Sequence, residues 1–168
     1  MLQIFWETKE RLAVKEIIVR RLKEIEKQIF HDLRLACLAS SPCQSFRRST
    51  GRQATYDCAK IIFTDSAKIK LLNKSYRKID KATDVLSFAE LDTQDKLLKE
   101  DKTLGEIYIN YDWIKNHGTR NIKQGTLEKI TRLFIHGYLH LLGYNHEKDQ
   151  GEMEKLENRL RKLHFIGI

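Results

Sequence analysis

The sequence predicts one α/β (α+β) domain: a small mixed sheet packed against several helices. Three observations carry this. Short apolar runs that read as strands are interleaved with stretches whose apolar residues recur every three or four positions. The 168 residues fit the ~100–200 of a single domain. No internal repeat or linker divides them, so residues 1–168 are read as one unit.

The first run, Leu2–Trp6, reads as a short strand. Beyond Thr8 the period changes: Ile18, Leu22, Ile25, Ile29, Leu33 and Ala36 are spaced by threes and fours among charged residues, an amphipathic helix on a core. Residues 39–56 and 90–102 are expected loops. The first contains the only proline and a basic cluster, Arg47, Arg48 and Arg52. Cys58–Phe63 reads as a buried strand. Asp65 or Ser66 then caps a helix with Ile69, Leu72 and Tyr76 on one side. Val85–Ala89 and Leu104–Asn110 are further strands. Asp112 is the expected cap of a short helix ending near Gly118, and Thr126 of a helix over Leu127–Leu142 that Gly143 stops. Glu152–Leu163 forms the last helix.

The composition, 41% hydrophobic and 32% charged, is that of a globular protein. No run approaches the ~18 apolar residues of a membrane span. The amino terminus lacks the basic and long apolar regions of a secretory signal, so a cytoplasmic protein with no membrane partner is expected. Cys37, Cys43 and Cys58 form no metal-binding or disulfide pattern and read as free thiols. A formal charge of +8 favours a polyanionic partner, of which nucleic acid is the commonest.

The chemistry lies in FIHGYLHLLGYNHEKD. His136 and His140 are four apart on a helix, so their imidazoles share one face. Gly143 lets the chain reverse and return His146 toward the same point. Three nitrogens with a fourth position left for water are the pattern of a catalytic zinc site, one Zn²⁺ per chain. His31, His117 and His164 are isolated and read as ordinary surface or core residues. Zinc peptidases carry a glutamate directly after the first histidine, and this chain has Gly137 there. Glu147 and Asp149 are nearby carboxylates that solvation would equally explain.

HGYLHLLGYNH is similar to the H-G-x-L-H-L-x-G-Y-D-H signature of the YbeY family of bacterial endoribonucleases. LLNKSYRKIDKATDVLSF resembles that family's L-N-x-x-Y-R-x-x-D-x-P-T-D-V-L-S-F segment. The likeness covers roughly residues 57–160. It implies a zincin-like fold, zinc on His136, His140 and His146, and cleavage of single-stranded RNA during ribosomal RNA maturation, in or near the ribosome. By position, the family's functional arginine falls on Arg77. Ala82 and Ala89 replace prolines, and Asn145 replaces the aspartate before the third histidine.

The resulting expectation is phosphodiester hydrolysis by metal-activated water, with Arg77 bonding phosphate oxygens in pairs. Lys68, Lys70, Lys74, Lys78 and Lys81 surround it against one acid, Asp80. Thr83–Asp84 read as turn residues, and Tyr76 and Tyr144 as core or packing residues rather than base-stacking platforms. The rivals are a metallopeptidase-like hydrolase, a non-catalytic zinc-containing assembly factor, and a zinc hydrolase of small molecules.

Overall fold

The computed structural model describes residues 2–7, 15–39, 58–89, 103–117, 122–145 and 149–165. They form, in chain order, β1 (Leu2–Trp6), α1 (Lys15–Ala39), β2 (Cys58–Thr64), α2 (Ser66–Arg77), β3 (Val85–Ala89), β4 (Thr103–Asn110), α3 (Tyr111–Asn116), α4 (Ile122–Leu141) and α5 (Glu152–Phe165). The expected loops lie outside the described residues, except that Ala39 is the last residue of α1.

The strands make one mixed sheet in the order β1-β2-β4-β3. β1–β2 and β2–β4 are parallel, and β3 runs antiparallel to β4. Successive strand side chains point to opposite faces, so the registers define two surfaces. Ile61, Phe63, Ile107 and Ile109 share one of them with Leu2, Ile4 and Trp6 of β1. α4 covers this surface, and Gly137 lies directly over Ile107. Ile18, Leu22, Ile25 and Ile29 of α1, all fully buried, complete the same core. The first four positions of the helical period read from the sequence are therefore the buried stripe of α1, while the side chains of Leu33 and Ala36 lie outside the described residues.

α2 lies on the opposite surface. Asp65 is its N-cap, accepting from the Lys68 N–H at 2.8 Å. Lys68 reaches Glu7 beyond β1 at 2.6 Å. The helix ends at Lys78, in the left-handed conformation with φ 62°. Asn73 closes that end: its buried side-chain amide donates to the Lys81 carbonyl at 2.7 Å, and its own backbone carbonyl accepts from Ile79 N–H.

Three expectations need correction. α4 begins at Ile122, so Thr126 lies inside the helix rather than capping it. Gly125 and Thr126 are both buried, and packing outweighs the ~1 kcal/mol helix cost of glycine. Asn110, not Asp112, caps α3; its Oδ1 accepts from the Trp113 N–H at 3.1 Å. Asp112 instead accepts from the backbone N–H of Ser66 at 3.1 Å, tying α3 to α2. Tyr76 is 67% exposed rather than core; the inward position near the end of α2 belongs to Asn73. Tyr144 is half-buried against the core, as expected.

Candidate metal centre

The last turns of α4 bring His136 and His140 together. Their Nε2 atoms are 3.2 Å apart, with the rings nearly perpendicular at 82°. Each opposite nitrogen meets an acceptor. The His140 Nδ1–H donates to the backbone carbonyl of Tyr144 at 3.0 Å. A carbonyl can only accept, so the proton is fixed on Nδ1 and the Nε2 lone pair of a neutral ring points toward His136. His136 Nδ1 faces Glu157 Oε2 on α5 at 3.3 Å, which selects the same tautomer.

At this separation the two Nε2 atoms can share a proton in an N–H···N hydrogen bond or bind one cation together. The edge of a tetrahedron with Zn–N arms of ~2.0–2.1 Å is about 3.3 Å, matching the observed separation. The donor set thus fits a zinc ion, with acceptors behind both rings in the manner usual for metal-bound imidazoles. His146 lies outside the described residues, and among the described residues no third His, Cys, Asp or Glu joins the pair.

The turn beyond α4 is built as its sequence requires. Gly143 has φ +90°, a conformation that costs glycine little. Its N–H donates to the His140 carbonyl at 2.9 Å, and the Tyr144 N–H to that of Leu139 at 3.0 Å. This reversal delivers the Tyr144 carbonyl to His140. Asp149 is occupied as a cap, accepting from Gly151 N–H at 2.8 Å and Met153 N–H at 3.0 Å. Glu147 lies outside the described residues.

Glu157 is the residue of this candidate site that sequence reading missed. Its side chain is 19% exposed. The His136 hydrogen bond, aided by the charges of Arg161 and Arg132, holds its carboxyl below the usual carboxylate range despite burial. It orients the imidazole and adds negative charge behind it.

Gly137 has a packing reason. A Cβ there would lie 2.8 Å from Ile107 Cγ2, and Ile107 is fully buried. The close contact of α4 with the sheet leaves no room for the glutamate of zinc peptidases.

Arg77 is the last residue of α2, exposed, and bonded to neither histidine. Lys70 and Lys74 both pair with Asp80, at 3.4 and 3.0 Å. No described residue forms an ion pair with Arg77. Thr83 and Asp84 do turn chemistry: Asp84 Oδ1 accepts from Thr83 Oγ1 and Val85 N–H, and Asn110 bonds the backbone carbonyls of both residues. His117 stacks on Trp113 and bonds its carbonyl, while His31 is exposed on α1. No helix among the described residues is long and apolar enough to cross a membrane.

Known proteins resemble this chain in sequence and in fold. An endoribonuclease YbeY from a Nitratiruptor species is 39% identical over 108 residues, covering 64% of this chain and 70% of that protein. One from Nautilia profundicola is 43% identical over 107 residues, covering 63% and 72%. The solution structure of a protein from Thermotoga maritima is similar in fold, with a TM-score of 0.51 at 24% identity over 98% of this chain and 89% of that one. The profile of the Endoribonuclease YbeY family matches residues 21–164, which include α2, the paired histidines and Glu157. The chain belongs to the endoribonuclease YbeY family.

Proposed function

We propose that this chain is a zinc-dependent endoribonuclease that cuts single-stranded RNA during ribosomal RNA maturation. Its sites of action would include the 16S 3′ end and ribosome quality control, in the cytoplasm and in contact with the ribosome. The observation that carries the metal reading is the 3.2 Å approach of His136 and His140 Nε2, with an acceptor behind each ring. His136, His140 and His146 would hold the ion. Bound zinc supplies Lewis-acid activation of water and of a phosphoryl oxygen.

The chain's own residues do the rest. Glu157 and the Tyr144 carbonyl hold the two imidazoles in the ligating tautomer. Arg77 offers a guanidinium without an ion pair among the described residues, matched to two phosphate oxygens. The formal charge of +8 favours a phosphate-rich substrate. The crowding of Gly137 against Ile107 supports a nuclease over a peptidase, since a glutamate general base has no space there.

Zinc content and cleavage of single-stranded RNA, duplex RNA and casein test this in the wild type and His140→Ala. One zinc per wild-type chain, loss of it in the variant, and cleavage of single-stranded RNA alone are expected. Normal zinc in His140→Ala ends the ligand assignment. Casein cleavage without RNA cleavage ends the nuclease reading.

A further inference from the structure

The sheet surface opposite α4 carries Leu86 and Phe88 from β3, Glu106 and Tyr108 from β4, and Lys60 and Ile62 from β2. One hydrogen bond and two aromatic contacts run in series from it out to solvent. The Tyr108 hydroxyl donates to Glu106 at 2.8 Å. Phe88 sits edge-on to Tyr108, with centroids 5.8 Å apart. Tyr76 of α2 rests against Phe88 at 4.8 Å and 54°. Tyr76 remains 67% exposed. Its ring is braced from beneath and open above. Arg77, exposed and without an ion pair among the described residues, is its neighbour in the chain.

The strand beneath this ring also meets the last turn of α4, which carries His140. β3 is an edge strand of the sheet. A Cβ at Gly105 would touch the Phe88 carbonyl oxygen, the Ala89 Cα and Leu141 Cδ2, at 2.2, 3.0 and 2.9 Å. Leu141 therefore meets the sheet at the level of Phe88 and Ala89, and it directly follows His140. Tyr76 and the end of α4 flank the same end of the edge strand, one on each surface.

We propose that Tyr76 is a base-stacking platform for unpaired RNA crossing the β3 edge. A nucleobase would lie on its open face, with the adjoining phosphate near Arg77. Aromatic rings take up bases of any identity, but only bases free of a duplex stack. Tyr76 would thus contribute to single-strand preference without reading sequence. The proposal rests on the RNA-cleaving reading above.

The test measures binding of a short single-stranded oligoribonucleotide, and of the same sequence as a duplex, across a salt series. Wild type, Tyr76→Phe and Tyr76→Leu are compared at equal zinc content. Tyr76→Leu keeps an apolar contact with Phe88 but has no π-face. It should bind the single strand about 5- to 150-fold more weakly. Duplex binding and the salt slope should be unchanged, because no phosphate contact is lost. Tyr76→Phe should bind like wild type. A 2-aminopurine probe in the single strand should be quenched by wild type and Tyr76→Phe, not by Tyr76→Leu. Unaltered single-strand affinity in Tyr76→Leu, or an equal loss for duplex, overturns the platform while leaving the nuclease intact. A wild type that neither binds nor cuts RNA removes the RNA reading itself, and the platform with it.

Discussion

Glu157, on α5, places Oε2 3.3 Å from Nδ1 of His136 on α4. On the proposed zinc reading, the carboxylate orients the ring and raises its strength as a ligand. Outer partners of this kind typically change metal affinity by about 10- to 100-fold. Glu157→Gln should therefore weaken zinc binding by about that factor in competition with a chelator, with the fold intact by circular dichroism. Undiminished affinity would show that Glu157 has no part in holding the ligand.

Gly137→Ala sets two effects against each other. Alanine gains ~1 kcal/mol of helix propensity over glycine. Its Cβ, however, would lie 2.8 Å from a fully buried Ile107, and overpacking costs ~1–3 kcal/mol. Packing should win, giving a loss of about 0.5–2 kcal/mol in urea unfolding. A more stable variant would mean that α4 moves off the sheet without cost.

Arg77→Ala removes an exposed side chain at the end of α2, so folding and zinc content should persist. In the role proposed for Arg77, losing its guanidinium should cost about 10²–10³ in rate, the typical effect of removing one donor to transition-state charge. Initial rates on single-stranded RNA at saturating substrate measure it, and wild-type rates would exclude Arg77 from the reaction.

Glu26 on α1 supplies the pH prediction. Burial raises its pKa, only partly opposed by hydrogen bonds from the Leu2 N–H and the Tyr138 hydroxyl. A raised folded-state pKa favours the native state at pH values where the carboxyl is protonated. That stabilisation is complete below the ordinary glutamate range near ~4.3 and is lost as pH rises through the folded value. Glu26→Gln keeps an acceptor for Tyr138 without the charge. It should melt higher than wild type at pH 7 and equally at pH 4. An advantage independent of pH would point to packing instead.

Much of this architecture was legible because its signals are local. The stripe of Ile18, Leu22, Ile25 and Ile29 fixes a helix period, and Gly143 marks a helix end by its own backbone. The histidine pair is read from a spacing of four. Glu157 left no such trace: its partner is on a different helix, and nothing near Glu157 in the chain distinguishes it from a solvated acid. Thr126 misled for a related reason, since an N-cap residue and a buried helical threonine look alike until the packing is known. Tyr76 follows the period of Ile69 and Leu72 loosely, yet α2 turns Asn73 inward and leaves Tyr76 outside. The identity of the partner surface decided those cases.

The pairing of Leu2 with Ala59 and Trp6 with Phe63 has a bearing on how the molecule is made. β2, β3 and β4 are near one another in the chain, whereas β1 must close a long loop before it gains a single ladder bond. Such pairings form slowly. During synthesis β1 emerges long before β2 exists. Leu2, Ile4 and Trp6 wait through that interval without the surface that later covers them wholly or in part, a period in which a chaperone has something to hold.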